Sequence, residues 1–336
     1  MNKIGDQTFF MHTKPRIISY AAVVGEKEGK GRLGECFDIV EKDVYFGKGT
    51  WEAAESEMLR RCFEKTRFKA GLDEKDIDIV LSGDLLNQCT SSALTFRKVN
   101  TPYLGLYAAC STMAESTALA AMLVDGGFGE TVCAITGSHF CTAERQYRFP
   151  LEYGGQKPPT SQSTVTGSGG LIVSSKGKGM RVVCATIGKI TDAGITDANN
   201  MGSAMAPAAL DTIAAHFKDT GRTPEYYDAI FTGDLGAIGH DILEELLERE
   251  GYPVRGRYHD CGVMVYDEGE KRERKFGSGC GCCASVLCGH ILPEMKKGRW
   301  NRILFAATGA LLSPTTVQQK ESIPGICHAV AIENEV

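Results

Sequence analysis

The sequence predicts an α/β fold built from two similar halves. Short apolar runs alternate with helix-length amphipathic segments along the 336 residues, a pattern typical of layered α/β proteins. Residues 78–85 (DIVLSGDL) match residues 228–235 (DAIFTGDL), and residues 132–137 (VCAITG) match residues 304–309 (LFAATG) in the pattern A-x-T-G. Repeats that keep their order at separations of 150 and 172 residues indicate an internal duplication.

The first half is predicted to span residues 1–200 and to hold most of the regular pattern. A helix over 51–69 carries one apolar stripe and stops at Gly71, and a helix over 113–124 is apolar nearly all round, which favours full burial. The predicted strands are short apolar runs bounded by turn residues, at 16–24, 76–81, 103–109, 131–135 and 171–174.

The second half is predicted to span residues 201–336 and to repeat this order. Its helix over 241–250 follows the recurring strand, and a final strand covers 325–332. The two repeat separations differ by 22 residues, and the charged segment 257–276 is predicted to supply them as a hairpin insertion.

Charge and cysteine content exclude several classes of protein. The chain has 37 Lys and Arg against 42 Asp and Glu, a net charge of -5, which argues against binding nucleic acid. No apolar run reaches the roughly 18 residues of a membrane helix, and residues 1–20 lack a signal core. We therefore expect a soluble protein whose 13 cysteines are reduced thiols.

Cys110 lies at a predicted strand-to-helix corner. Thr112-x-x-Glu115 fits a capping box immediately before the apolar helix, so backbone N–H groups and the positive helix end should face the thiol. Such a thiol is expected to have a lowered pKa and to act as a nucleophile. The same corner could instead bind an anion without chemistry, or Cys110 could be a buried structural residue.

The segment from Ala108 to Ser116 (AACSTMAES) resembles the nucleophile segment of the thiolase and ketoacyl synthase superfamily. That resemblance implies a duplicated α/β fold of five layers (αβαβα), with two halves related by a pseudo-twofold axis, and a homodimer. Further segments resemble the same superfamily, at residues 131–138, 166–170, 277–287, 302–313 and 325–332.

The residues that carry out condensation in this superfamily are replaced. Condensing enzymes use a His and an Asn, or two His, to stabilise the oxyanion and to handle the proton. By resemblance to the ketoacyl synthase III branch, the His position falls on Gly233 and the Asn position on Cys280. The resemblance therefore implies a pocket that has kept its thiol and lost its catalytic partners.

One branch of the superfamily, from endospore-forming bacteria, has these departures. Residues 48–52, 82–88, 107–115 and 307–314 resemble it closely. This resemblance implies a non-catalytic protein that binds pyridine-2,6-dicarboxylic acid (dipicolinic acid), with or without calcium, and uses no cofactor. It also implies membrane-protein partners of the same sporulation assembly, and a place at the spore inner membrane or in the cytoplasm of the forespore or mother cell.

The candidate ligand contacts surround the corner at Cys110. The candidates that suit a small dianion include two positions at helix ends, polar residues that follow two strands, and two arginines. The arginines are included because guanidinium groups bind carboxylates in a bidentate manner. The candidates are Cys110, Ser111, Ser138, His139, Asn87, Gln88, Arg145, Arg148, Gly233 and Cys280.

Two other functions stay open at this stage. An acyltransferase would load an acyl group onto Cys110 and would need a replacement base such as His139. A scaffold would keep a vestigial pocket and recruit membrane partners through its surface. Neither a nucleotide nor a metal site is predicted, because the glycines of residues 29–34 do not lead directly from a strand into a helix and the cysteines of 280–288 lack zinc-knuckle spacing.

Overall fold

Apolar runs of the chain form the strands of one large mixed sheet and one small sheet. The computed structural model describes residues 2–147, 161–266 and 276–335. The strands in these segments are β1 (Lys3–Ile4), β2 (Thr8–Phe10), β3 (Arg16–Gly25), β4 (Ile39–Glu41), β5 (Ile79–Gly83), β6 (Tyr103–Gly105), β7 (Thr131–Ser138), β8 (Ser163–Thr164), β9 (Gly167–Ser174), β10 (Met180–Thr186), β11 (Ala229–Thr232), β12 (Tyr258–Asp260), β13 (Gly277–Ser278), β14 (Arg302–Ala310) and β15 (Gly325–Glu333).

The helices alternate with these strands, as the sequence pattern predicts. The longest two end at glycines in the left-handed conformation, Gly71 and Gly221, which suits a residue without a Cβ. The helices are α1 (Glu26–Gly29), α2 (Trp51–Ala70), α3 (Thr90–Phe96), α4 (Thr112–Asp125), α5 (Phe140–Tyr147), α6 (Met201–Thr220), α7 (Gly236–Arg249), α8 (Cys261–Met264), α9 (Cys280–Val286), α10 (Leu292–Lys296) and α11 (Pro314–Gln318). Within the described segments, no helix combines the length and the apolarity that crossing a membrane requires.

The large sheet consists of two matching groups of strands. The first runs β6-β5-β7-β9-β3 and the second runs β12-β11-β14-β15-β10, and the two groups meet where β3 pairs with β10. In both groups the three outermost strands are parallel and the two inner pairings are antiparallel. This correspondence confirms the predicted duplication. The chain passes from the first group to the second between Ser174 and Met180, within the residues 1–200 assigned to the first half.

The two groups of strands form separate layers with helices between and outside them. Helix α4 packs against β7 and β9 of the first group and β14 and β15 of the second, and α9 lies beside it. Helices α2 and α3 cover the outer face of the first group, while α6 packs on β14 and β15 and against α7. Strands buried on both faces read as continuous apolar runs, as β7 and β15 do. The predicted five-layer αβαβα fold is confirmed.

Two sequence-based predictions of local structure are wrong. The strand predicted over 103–109 ends at Gly105, because the chain then turns sharply towards Cys110. The segment 257–266 is not part of a hairpin: Tyr258–Asp260 pairs in parallel with β11, and α8 follows it. The rest of the predicted insertion, residues 267–275, lies outside the described residues.

Gly309 brings the second half of the molecule against the chain that carries Cys110. A Cβ at this position would lie 2.5 Å from the carbonyl oxygen of Ala108 and 3.1 Å from the backbone nitrogen of Cys110. Both neighbours are backbone atoms, which cannot rotate away as a side chain could. The A-x-T-G repeat therefore keeps its glycine here because the two halves approach each other at backbone contact.

We predict that Gly309→Ala destabilises the protein by about 1–3 kcal/mol through overpacking of this contact. Urea unfolding monitored by circular dichroism measures the effect. The control is Gly49→Ala, because a Cβ at Gly49 meets nothing within 4 Å. Equal stability of Gly309→Ala and the wild type would contradict the close approach.

Candidate functional site

Cys110 lies in a tight turn between β6 and α4. We call residues 108–111 the Cys110 turn. Ala109 has a left-handed backbone with φ of 49°, an uncommon conformation for a residue with a Cβ, and Ala108 and Cys110 form an isolated β-bridge. Strain of this kind often marks functional turns. The turn leaves Cys110 7% exposed, with α4 beginning two residues later.

The predicted capping box does not form. The Thr112 hydroxyl donates to the carbonyl of Ala109 at 2.7 Å and accepts from the backbone N–H of Ala108 at 3.1 Å, so it stabilises the turn rather than the helix end. Glu115 does not reach back either: one carboxylate oxygen is buried without a partner. Burial raises the pKa of Glu115 to about 7.

Asp234 is the charged group at the Cys110 thiol. It follows β11 and is completely buried. One carboxylate oxygen accepts hydrogen bonds from the hydroxyl of Ser278 at 3.0 Å and the backbone N–H of Gly279 at 2.8 Å. The other accepts from the hydroxyl of Thr308 at 3.0 Å. The Cys110 thiol lies close enough to this carboxylate for the two groups to shift each other's pKa, so Asp234 interacts with the first half of the molecule at the site.

The electrostatics of the thiol are opposite to the prediction. Burial raises the pKa of Cys110 well above its ordinary value, and the neighbouring Asp234 carboxylate raises it further. The backbone N–H of Gly279 opposes this shift and does not outweigh it. The predicted lowering of the Cys110 pKa is therefore wrong, because burial beside a carboxylate outweighs the N–H groups near the helix end. Burial also raises the pKa of Asp234, to about 6, despite its hydrogen-bond donors.

The two positions at which the resemblance places a catalytic His and Asn are occupied by Gly233 and Cys280. Gly233 has no side chain, and a Cβ there would lie 2.9 Å from the backbone nitrogen of Thr308. Cys280 is fully buried, and its thiol donates to the carbonyl of Gly137 at 3.1 Å. Within the described residues, no imidazole is among the groups that shift the Cys110 pKa. The site therefore pairs a thiol with a carboxyl group instead of an imidazole.

The duplication creates a second acid and thiol pair across the pseudo-twofold axis. Asp84 follows β5 as Asp234 follows β11. Burial and the neighbouring Cys110 raise the pKa of Cys280 in the opposite half, and the Asp84 carboxylate raises it further. The Asp84 oxygens accept from the backbone N–H groups of Leu86 at 2.8 Å and Ser92 at 2.7 Å. Each half thus supplies a buried aspartate to a cysteine of the other half.

A small cavity opens at Cys110, with a volume of about 60 Å³. Its apolar walls come from both halves, including Leu85 in the first and Leu312 in the second. A water molecule needs roughly 10–15 Å³ on this measure, so the cavity has room for about four to six water molecules and not for a long acyl chain. The polar groups lining it are Cys110, Glu144, Gln162, Thr164 and Ser278.

The predicted contacts at Ser111, Ser138 and His139 make structural hydrogen bonds. The Ser111 hydroxyl donates to the carbonyl of Ala307 at 2.6 Å, and that of Ser138 to the carbonyl of Val165 at 2.8 Å. The His139 ring donates through Nε2 to the carbonyl of Val44 at 2.8 Å, while Nδ1 accepts from the next-but-one backbone N–H. Burial lowers the pKa of His139, and neither of its ring nitrogens is left for Cys110.

Of the remaining predicted ligand contacts, the three that the structure describes do not line the cavity. Asn87 and Gln88 are exposed in the turn before α3. Arg145 pairs with Glu52 and lies 5.5 Å from the centre of the Trp51 ring, on the outer side of α5. Arg148 lies outside the described residues.

Asp234, Glu144, Gln162 and Ser278 were missed by sequence reasoning. The recurring S-G-D and T-G-D triplets did contain a signal for Asp234. An aspartate that recurs directly after an apolar strand is a candidate for burial, and buried charged residues are rare unless they have a partner. The other three approach the cavity from segments far apart in the chain. Nothing in their local sequence distinguishes them from ordinary polar residues.

The cysteine-rich start of α9 is packed into the core. The Cys283 thiol lies 3.4 Å from the carbonyl oxygen of Cys110, and Cys282 is buried against β13. In the segments that the structure describes, no group of three or more His, Cys, Asp or Glu side chains could hold a metal ion.

A wider groove of about 430 Å³ runs along the outer side of α2. Glu57 neutralises two of the cations there, through contacts of 3.3 Å to Lys48 and 2.6 Å to Arg60. This groove contains none of the residues of the Cys110 turn, and we regard it as a solvated, ion-paired surface.

Comparisons with known proteins agree with this geometry. The chain resembles 3-oxoacyl-[acyl-carrier-protein] synthase III from Aquifex aeolicus, at 11% identity and a TM-score of 0.60 over 95% of this chain and 99% of that one. It resembles a variant of Xanthomonas campestris OleA at 12% identity and a TM-score of 0.60, over 95% of this chain and 98% of the other. At such identities the likeness shows the thiolase-like fold alone.

Sequence comparison is more specific. Residues 5–333 match the family model described as stage V sporulation protein AD. The chain is 44% identical to stage V sporulation protein AD of Bacillus subtilis over 333 residues, which cover 99% of this chain and 98% of that protein. The chain therefore belongs to the stage V sporulation protein AD family, a sporulation family built on a thiolase-like fold.

Proposed function

We propose that this protein binds dipicolinic acid in the Cys110 cavity without catalysing a reaction on it. The observation that carries the proposal is the contact between the buried Asp234 carboxyl group and the Cys110 thiol. It marks a condensing-enzyme site whose thiol is held in its unreactive form while the cavity beside it persists.

The protonation state of the thiol argues against acyl transfer. A nucleophilic cysteine attacks as the thiolate, which a neighbouring cation or imidazolium stabilises. Here burial, and then the charge of the nearby Asp234 carboxylate, raise the pKa of the thiol and so destabilise the thiolate. The replacement base considered for the acyltransferase, His139, directs its ring to Val44 instead.

The shape of the cavity suits a small planar ligand. Apolar residues such as Tyr107 and Ala310 can contact the faces of an aromatic ring, while Gln162, Thr164 and Ser278 offer hydrogen-bonding groups at its edge. Few convergent polar groups within apolar walls are typical of small-molecule sites.

The charge of the cavity indicates which form of the ligand it favours. Its lining includes the Glu144 carboxylate and, among the described residues, no Lys or Arg. A bare dianion would be repelled by this carboxylate. The calcium chelate of dipicolinate is neutral, and we propose that it is the cargo that binds more tightly.

We also propose that two copies of the chain associate through β6. This strand is the outer edge of the first group of strands, and Leu104 on it is 50% exposed. Tyr107, just beyond the strand, is 45% exposed. An exposed apolar edge strand with unpaired backbone groups is a template for pairing with another strand.

Partners and location are proposals drawn from the family. We propose that the protein works beside membrane proteins of the same sporulation assembly, peripherally at the spore inner membrane or in the cytoplasm of the forespore or mother cell. Under the scaffold alternative, substitutions in the cavity would leave the dipicolinate content of spores unchanged. Under the binding proposal they reduce it.

We predict that the purified protein binds dipicolinate and that calcium strengthens the binding. Ala310→Leu is expected to weaken binding about tenfold or more, because the added methylenes occupy the cavity and overpack its wall. Isothermal titration calorimetry, with calcium and with a chelator, measures both effects.

The matched control is Ala237→Leu, which makes the same change on the half-exposed surface of α7. It should bind as the wild type does. Absence of binding up to millimolar dipicolinate, both with and without calcium, would reject the proposed function.

Asp234→Asn is predicted to make Cys110 more reactive. Removing this nearby carboxylate lowers the thiol pKa, so alkylation should begin at lower pH. Peptide mass spectrometry after iodoacetamide treatment across a pH series measures this, with the exposed Cys36 as an internal reference.

In a second experiment with mass spectrometry as the readout, wild-type protein incubated with acyl-CoA donors should keep its unmodified mass. Rapid alkylation of wild-type Cys110 below pH 8, or an acyl adduct that Cys110→Ala abolishes, would favour the acyltransferase instead.

Leu104→Glu is predicted to convert a dimer into a monomer, because it places charge on the pairing edge of β6. Light scattering coupled to size-exclusion chromatography measures the mass. Phe128→Glu, which alters an exposed aromatic residue elsewhere, should leave the mass unchanged. A wild-type mass of about 36.3 kDa would overturn the proposed pairing.

A further inference from the structure

A buried carboxyl group outside the Cys110 cavity lies between α2 and α5. Glu55, on the inner face of α2, is 1% exposed. One of its oxygens contacts the hydroxyl of Thr142 on α5, and the other is buried without a hydrogen-bond partner. A carboxyl group in such a place needs a reason, because burial of an unpaired charge is costly.

The hydrogen bonds of Thr142 accommodate a proton on Glu55, and the lack of a hydrogen-bond partner for the other Glu55 oxygen favours that proton. The Thr142 hydroxyl lies 2.8 Å from the carbonyl oxygen of His139, which can only accept, and it also contacts Glu55. A hydroxyl has one proton to donate. When it donates to His139, the Glu55 contact is a hydrogen bond only if the carboxyl group is the donor.

Asp84 explains why the proton resides on Glu55 and not on its neighbour. Asp84 accepts from two backbone N–H groups, those of Leu86 and Ser92, which stabilise its charged form. Glu55 has no backbone donor among its hydrogen bonds. Burial raises the pKa of Glu55 well above its ordinary value, and the nearby Asp84 charge raises it further. Two carboxyl groups close together cannot both ionise readily.

The contact from Glu55 to Thr142 leads directly to the ligand cavity. Two residues beyond Thr142, the Glu144 carboxylate accepts a hydrogen bond from the backbone N–H of Thr164 at 3.2 Å. Glu144 and Thr164 both line the Cys110 cavity. The position of α5 on α2 therefore sets one wall of the cavity.

We propose that protonated Glu55 is a positioning residue that fastens α5 to α2 and so makes ligand binding at the Cys110 cavity dependent on pH. The proposal rests on the proposed function in that it concerns regulation of the same site. When Glu55 ionises, it places a buried charge near that of Asp84, and one of its two oxygens has no hydrogen-bond donor to stabilise that charge. The fastening weakens and the cavity wall moves.

Other ionisable groups near Glu55 do not substitute for it. Cys280 of α9 is a fully buried thiol whose pKa is raised well above its ordinary value, so it stays neutral. The His139 ring points to Val44, and Ser91 of α3 contributes a hydroxyl. At the surface one turn away, Glu52 is paired with Arg145. Among the described residues, no charged group on the strands beneath α2 is one of those that shift the pKa of Glu55.

Trp51 offers a readout that does not require ligand. The Arg145 guanidinium of α5 lies over its ring, so release of α5 changes the surroundings of Trp51. The chain has 2 tryptophans, and Trp300→Phe leaves Trp51 alone. In this background we would titrate from pH 6.5 to 9.5, recording Trp51 emission and dipicolinate affinity in the presence of calcium. Dipicolinate is fully ionised over this range.

The wild type is expected to lose affinity about tenfold or more, since ionisation of one group can change an equilibrium up to tenfold per pH unit. Trp51 emission should change with the same midpoint. Glu55→Gln keeps a neutral donor to Thr142 at every pH, so both signals should stay flat. Glu52→Gln, a control on the same helix, should keep the wild-type midpoint.

Thr142→Val breaks the contact from the other side and is expected to give low affinity and altered Trp51 emission at every pH. Superimposable pH profiles for the wild type and Glu55→Gln, or a wild-type profile in Thr142→Val, would overturn the role of Glu55. If dipicolinate fails to bind while Trp51 still responds as expected, the proposed ligand is wrong and the Glu55 fastening stands.

Discussion

The site depends on burying the Asp234 carboxyl group between the two halves of the molecule. Hydrogen-bond donors stabilise a buried carboxyl group, and here they come from Thr308, Ser278 and Gly279, with the Cys110 thiol close by. These donors lie on segments that only the assembled five-layer fold brings together. The close backbone approach at Gly309 and the strained turn before Cys110 are consequences of that convergence.

The duplication places an aspartate at equivalent positions of the two halves, and the two aspartates have different surroundings. Asp234 holds a thiol in its protonated form beside an open cavity. Asp84 lies near a second buried thiol and near Glu55, whose pKa is raised by burial and then by the Asp84 charge. Where condensing enzymes place groups that stabilise a thiolate, this family member surrounds its thiols with groups that prevent ionisation.

Much of the fold could be predicted because its elements have strong local patterns. The apolar stripe and the terminal Gly71 predicted α2 closely, and the apolar run of β14 was evident from the A-x-T-G repeat. The failures occurred where a tertiary contact replaced a local preference. Thr112 bonded to the turn before it instead of capping α4, and the segment at Tyr258 joined the sheet as a parallel strand instead of forming a hairpin.

Local patterns were enough to predict the α/β class, the duplication and the superfamily, because periodicity, repeats and the Cys110 segment are properties of neighbouring residues. They also predicted that the site lacks a His and an Asn. What replaces these residues follows from the packing of the two halves. The ionisation of Cys110 depends on its burial and on its distance from a carboxylate in the other half of the chain, and neither quantity can be read from residues adjacent to it. The raised pKa of Glu55 has the same kind of origin, because packing buries this carboxyl group near Asp84 and leaves one of its oxygens without a hydrogen-bond partner.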